Sequence, residues 1–159
     1  MPNMQKTDDA SRAELTDLVI KTSRRMRTLF NARVSEQGLT YPRARALAEL
    51  ARHPMPTQTE LACQLQLESA TVVRLLDGME RLDLIERLPS PGDRRAKIVR
   101  LTPEGRKAAA VVSAASDDIR DAVLSDIDDR EIVAALAVMR RMARALEAVS
   151  HPGASDDDE

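Results

Sequence analysis

Residues 57–106 read TQTELACQLQLESATVVRLLDGMERLDLIERLPSPGDRRAKIVRLTPEGR, and the fold is decided within them. Thr57 and Glu60 stand at the spacing of a capping box, in which each side chain satisfies the other's free backbone N–H, so Gln58–Leu65 reads as a short helix burying Leu61, Ala62 and Leu65. Ser69 offers a cap for a second helix that runs to Leu82. At about 100° per residue, that helix places Val72, Leu75, Leu76, Met79 and Leu82 on one arc and Ala70, Arg74, Asp77 and Arg81 on the opposite one. Leu84–Leu88 and Ala96–Leu101 have strand-like content and flank Pro89, Ser90, Pro91 and Gly92, which reads as a hairpin. A capped short helix, a second helix with a polar outward face and a basic hairpin, without a gap, follow the order of a winged helix-turn-helix.

Long helices frame this unit. Ser11 can cap a helix whose apolar positions Leu15, Leu18, Val19, Met26, Leu29, Phe30 and Val34 recur at helical spacing, and Gly38 lies just past its end. Thr40 caps the next helix, with Ala44, Leu47, Ala48 and Ala51 on one face and Pro54 and Pro56 enforcing the stop. Thr102 and Pro103 open a long helix after the hairpin, and Asp128 with Glu131 opens the last one. There Ile132, Leu136, Met139, Met142, Leu146 and Val149 form a stripe that calls for a partner helix. The expected class is mainly α with a small β-hairpin wing: a winged helix-turn-helix at 40–101 and a helical dimerisation layer at 12–36 and 102–149. Residues 1–11 are expected to be mobile, and 150–159 to form an acidic disordered tail.

Composition narrows the function classes. Of 159 residues, 43% are apolar and 1% aromatic, a balance that favours helix. No apolar stretch approaches the roughly 20 residues of a membrane span, and no basic segment followed by an apolar core opens the chain. A cytoplasmic protein with no membrane partner is expected. The net charge of −2 hides an asymmetry: Arg87–Lys107 carries seven basic and two acidic residues, whereas Asp117–Glu159 carries twelve acidic and five basic. With two histidines, one cysteine and no HExxH, GxGxxG or phosphate-loop pattern, no metal site, cofactor or nucleophile with its base can be assembled, and an enzyme is not expected. His53, before Pro54, reads as a surface histidine.

The second helix and the hairpin together point to double-stranded DNA. The outward face at the start of that helix is small and polar, which lets its backbone enter a major groove. Ser69, Ala70, Thr71, Val73 and Arg74 are the groove-facing residues: Arg74 forks onto a guanine or clamps a phosphate, hydroxyls add shorter bonds, and Val73 touches a thymine methyl. Thr57 and Gln58, at a helix start, face the DNA backbone. The hairpin tip brings Arg94, Arg95 and Lys97 to the adjacent minor groove, and Asp93 is expected to pair with Arg87 or Arg95 and hold the loop in shape.

The stretch ending DRRAKIVRLTPEGR, with an Asp-Arg-Arg wing tip leading into Leu-Thr-x-x-Gly, resembles the MarR family of bacterial transcriptional regulators, in the branch that includes the SlyA-like proteins. The resemblance spans Ala13 to Val149. It implies a homodimer whose first and last two helices form the dimer layer, with two winged helices on a pseudo-palindromic operator. It also implies repression, and release from DNA by small, often aromatic or phenolic, anions. Two departures stand out: Asp83 occupies a turn that commonly holds glycine, and the first helix lacks the reactive cysteine of oxidant-sensing members.

An effector pocket is expected where the first, second and post-wing helices converge, with Arg24, Arg25, Tyr41, Arg43 and Arg45 supplying cations and a phenol. Cys63, between Leu61 and Leu65, reads as a small buried thiol, with a redox-responsive regulator as the alternative. A dimeric helical adaptor that binds no DNA is the other alternative. It accounts for the apolar stripe but not for the wing.

Overall fold

The computed structural model describes residues 9–91 and 93–150, excluding the side chains of 93–95. In chain order the elements are α1 (Asp9–Ser35), α2 (Tyr41–Arg52), α3 (Gln58–Leu65), α4 (Ser69–Glu80), β1 (Ile85–Ser90), β2 (Asp93–Leu101), α5 (Pro103–Leu124) and α6 (Asp129–Ser150). Residues up to Arg120 form one compact unit and those from Asp121 a second, so the boundary falls inside α5. The expected terminal segments fall largely on 1–8 and 151–159, outside the described residues. Within those described, the first helix is already formed at Asp9, so Ser11 lies inside it rather than capping it.

The core is assembled from the small helices and the hairpin. Leu47, Leu61, Leu65, Val72, Leu76, Met79, Ile85 and Val99 are fully buried together with Val34 of α1 and Val112 of α5. Each large side chain there contributes about 1.5–3 kcal/mol by leaving water. On α2 the buried set is Ala44, Ala46, Leu47 and Leu50, rotated from the expected arc; Ala51 is exposed. Leu82 is also exposed, because α4 ends at Glu80 and the chain turns away before the next apolar position.

Three left-handed residues end helices without a long loop. After α1, Gly38 (φ 71°) lets Leu39 N–H reach back to Val34 O at 3.1 Å. After α3, Gln66 (φ 54°) does the same for Leu67 and Ala62 O at 3.0 Å, and after α4, Asp83 (φ 55°) does so for Leu84 and Met79 O at 3.0 Å. The turn at Asp83 therefore survives without glycine.

The hairpin base is tied at that turn. Thr102 Oγ1 donates to Asp83 O and accepts the Gly105 N–H at 2.9 Å, while Thr102 N–H donates to Leu84 O at 3.2 Å. Thr102 thus caps α5 as expected and also fastens it to the start of β1. On its other side, β2 is held by Val99 N–H to Pro56 O at 2.9 Å and by a bridge between Thr57 and Ile98.

The second unit holds α6, opened by a capping box: Asp128 Oδ1 accepts the Arg130 and Glu131 N–H groups at 2.7 and 2.9 Å, and Glu131 Oε2 accepts the Asp128 N–H at 3.2 Å. No residue of α6 is buried.

Replacing Gly105 with alanine is expected to lower unfolding stability by about 2–3 kcal/mol in urea titrations, because its Cβ would lie 1.8 Å from Leu84 O, a backbone atom that cannot swing aside. Gly38→Ala meets nothing within 4 Å and costs only the left-handed penalty, about 1 kcal/mol. Equal losses in the two variants would contradict this account of α5 packing.

Candidate nucleic-acid interface

The helix expected to read DNA starts one residue earlier than expected, at Ser69 itself. Glu68 O accepts the Thr71 and Val72 N–H groups at 2.9 and 3.1 Å, so Glu68 is the N-cap and Ser69 the first helical residue. Neither side chain closes the cap. Ser69, Ala70, Val73 and Arg74 are exposed and Thr71 is half-buried, which leaves a shallow polar surface on the first two turns. Arg74 makes no hydrogen bond or ion pair among the described residues. Thr57 and Glu60 form the expected capping box, with Glu60 Oε2 accepting the Thr57 N–H at 2.7 Å. Those bonds hold the Glu60 carboxyl below its ordinary range.

β1 and β2 pair antiparallel from Ile85 opposite Leu101 to Pro89 opposite Lys97, after which Ser90 faces Asp93. Arg94, Arg95 and Ala96 are left as a bulge beyond the Pro89–Lys97 pair. Lys97 is exposed beside this bulge. The side chains of Asp93, Arg94 and Arg95, and with them the pairing expected of Asp93, lie outside the described residues.

Arg87 takes other partners. Its guanidinium reaches from β1 to α4, with Nη2 2.7 Å from Asp77 Oδ1 and a short bond to Glu80 Oε2, and Nη1 lies 3.5 Å from Gln58 Oε1 on α3. One side chain, 18% exposed, therefore joins the hairpin to both helices of the turn. The hydrogen bond from Arg87 holds the Glu80 carboxyl below its ordinary range, and Glu80 raises Arg87 in return. Gln58, expected at the DNA backbone, is part of this clamp.

Other cations of the basic stretch are also engaged internally. Arg100 pairs with Glu86 across the strands at 2.8 Å, Arg106 Nη1 donates to Leu101 O at 3.0 Å, and Lys107 lies 2.6 Å from Glu104. These partners were missed because charge counting does not include strand register. The signal available was Asp77 and Glu80, three residues apart on the outward face beside an arginine-bearing strand.

Of the five residues expected to hold an effector, Tyr41 and Arg43 take different neighbours. Tyr41 meets Phe30 edge-on, with centroids 5.9 Å apart, and Arg27, rather than Arg24 or Arg25, lies 5.7 Å from its ring centre. Arg43 is two residues, or about 200°, further round α2 and lies near Gly78 of α4. Arg24 and Arg25 are exposed on α1, and Arg45 is half-buried on α2. Cys63 is exposed on α3, which corrects the expected buried thiol: it occupies the helix's outward side between buried Leu61 and Leu65. His53 is exposed, with Nε2 3.6 Å from Glu49. Among the described residues no cluster of His, Cys, Asp or Glu is arranged for a metal, and no helix is long and apolar enough to cross a membrane.

A sequence model of the MarR family matches residues 39–97, which run from the start of α2 into β2. The crystal structure of the transcriptional regulator PA3341 is 39% identical and superposes with a TM-score of 0.77 over 84% of this chain and 98% of that one. The chain belongs to the MarR family. It is accordingly a DNA-binding transcriptional regulator with a winged-helix fold. Among MarR-like relatives, the transcriptional repressor NicR of Pseudomonas putida is 26% identical over 125 residues, 79% of either chain. The Staphylococcus aureus MepR structure, solved as a DNA complex, is 25% identical, with a TM-score of 0.74 over 82% of this chain and 96% of that one.

Arg87→Met is expected to lower stability by about 1–2 kcal/mol at neutral pH, a modest figure because Asp77 and Glu80 are 46% and 41% exposed. Since the Glu80 pKa is lowered by folding, its contribution is full above the ordinary carboxylate range and lost as pH falls through the lowered value. The stability gap between Arg87→Met and the parent, followed by thermal melts from pH 7 downward, should narrow as pH falls below the ordinary carboxylate range and close below the lowered Glu80 value. A gap that persists there would rule out the carboxylate clamp.

Proposed function

We propose that this regulator is a homodimeric repressor that reads a pseudo-palindromic operator through α4 and grips the flanking minor groove with its wing. The observation that carries the reading is the exposed surface formed by Ser69, Ala70, Val73 and Arg74 on a helix clamped by Arg87 to the hairpin bearing Lys97. Arg74 is assigned to a base edge; Arg94, Arg95 and Lys97 to the minor groove; Thr57 and Ser69 to phosphates. Repression is the activity named for the relative NicR.

Dimerisation is supported by apolar surface that the single chain leaves in water. Leu15, Leu18, Met26 and Leu29 on α1 are 42–52% exposed, and Leu136, Met139, Leu146 and Val149 on α6 are 45–78% exposed. These are large side chains at helical spacing, which a second copy can cover. Two reading heads held about 34 Å apart would then meet successive major grooves on one side of the duplex. Release by a small phenolic anion would act by altering that separation, and the Arg27–Tyr41–Phe30 group on α1 and α2 is the part of the chain suited to an aromatic anion. A redox-responsive version of the same regulator draws on the exposure of Cys63.

The test is fluorescence anisotropy with the promoter region upstream of its own gene against scrambled DNA of equal length. Arg74→Ala is expected to cost about 1–3 kcal/mol on the operator and to change sequence preference, while Arg95→Ala weakens all sequences without altering the fold. Two variants that bind like the parent would remove these assignments. Leu136→Asp is expected to shift sedimentation to the monomer and abolish tight binding; a stable dimer would place the seam elsewhere.

A further inference from the structure

We propose that Arg43 of α2 and Arg81, at the end of α4, form an oxyanion site over Gly78, fitted to a phosphate group. A methyl group built on Gly78 would lie 3.6 Å from Arg43 Nη2 and 4.0 Å from Arg81 Nη2, so the two guanidinium groups converge on one point from two helices. Their separation is comparable to or less than the Debye length at physiological salt, about 8 Å, so they repel unless an anion lies between them. Arg43 is half-buried and makes no hydrogen bond or ion pair among the described residues. Arg81 Nε donates to Asp77 O at 3.2 Å, which fixes the guanidinium while leaving its Nη groups unpaired. The nearby carboxylates, Asp77 and Glu80, are held by Arg87.

Gly78 forms the floor. It weakens the interior of α4 relative to alanine, yet both neighbouring nitrogens stand at ordinary contact distance from a methyl, so packing does not require glycine there. A longer side chain would fill the space between the cations. Two guanidinium forks around a bare stretch of helix match the planar donor geometry that binds phosphate oxygens. Arg74 and Arg81 are exposed and Gly78 between them is itself buried, so the site borders the exposed face of α4 assigned above to DNA. In one of its two sources, a phosphodiester of bound DNA, the proposal rests on that reading; in the other, free phosphate or a phosphate monoester, it does not.

The experiment compares the full chain with Arg43→Gln, Arg81→Gln, the double variant and Gly78→Gln, which fills the floor without removing a cation. Melting in chloride first confirms that each variant folds. Orthophosphate is then titrated at constant ionic strength while the arginine Nε–Hε NMR signals and the melting temperature are followed, and DNA affinity is measured across salt concentrations. A free-anion site predicts a phosphate-dependent rise in melting temperature and shifted Arg43 and Arg81 signals that the double and Gly78→Gln variants lose. A DNA phosphate contact predicts that the slope of log K against log salt flattens by about one for each arginine removed, with sequence preference unchanged. Folded variants that match the parent in both arms would overturn the site. Failure of the parent to bind DNA would strike the regulator reading, leaving the phosphate arm to decide this one.

Discussion

Helix α5 can sit where it does only because residue 105 has no side chain. Its first turn lies against the Leu84 carbonyl so closely that a Cβ is sterically forbidden. Around this contact the Thr102 hydroxyl serves two masters, Asp83 O as donor and Gly105 N–H as acceptor. The exit from α4, the start of β1, the end of β2 and the start of α5 therefore meet in one knot, with the left-handed Asp83 turning the chain into it. Helix α4 and the wing leave this knot in fixed directions, and Arg87 fastens them a second time further along β1. Two independent attachments resist twisting in a way that one does not.

The second attachment changes the meaning of the basic stretch. Four of its seven cations, Arg87, Arg100, Arg106 and Lys107, have partners within the chain, so much of its positive charge supports the structure. Lys97, exposed beside the tip, has no such partner among the described residues. A partner that seeks positive charge would meet it at the end of the hairpin rather than along its length.

The amino-acid sequence revealed most where chemistry is local. Capping boxes at Thr57–Glu60 and Asp128–Glu131, the Thr102 cap and the buried face of α3 follow from residues three or four apart, and all are present. It revealed less where the deciding partner is remote. Glu68 rather than Ser69 is the N-cap of α4, and α3 ends at Gln66, a left-handed residue that is not glycine and carries no such signal. The Arg87 clamp requires the hairpin register, which places β1 over α4. Cys63 is exposed because a helix of eight residues buries only a narrow face, and position 63 lies off it. Within the expected effector group, residues 41 and 43 point to nearly opposite sides of α2, which a list of nearby residues does not show.

A projecting hairpin carries a danger that this one is built to avoid. Two-stranded sheets expose rows of backbone donors and acceptors to which another chain can add as a further strand, and such addition propagates. Here β2 already spends its outer edge on Pro56 and Thr57, and β1 contains Pro89, which offers an incoming strand no N–H. The wing can thus stand out from the body as a reaching element without also being a template for aggregation.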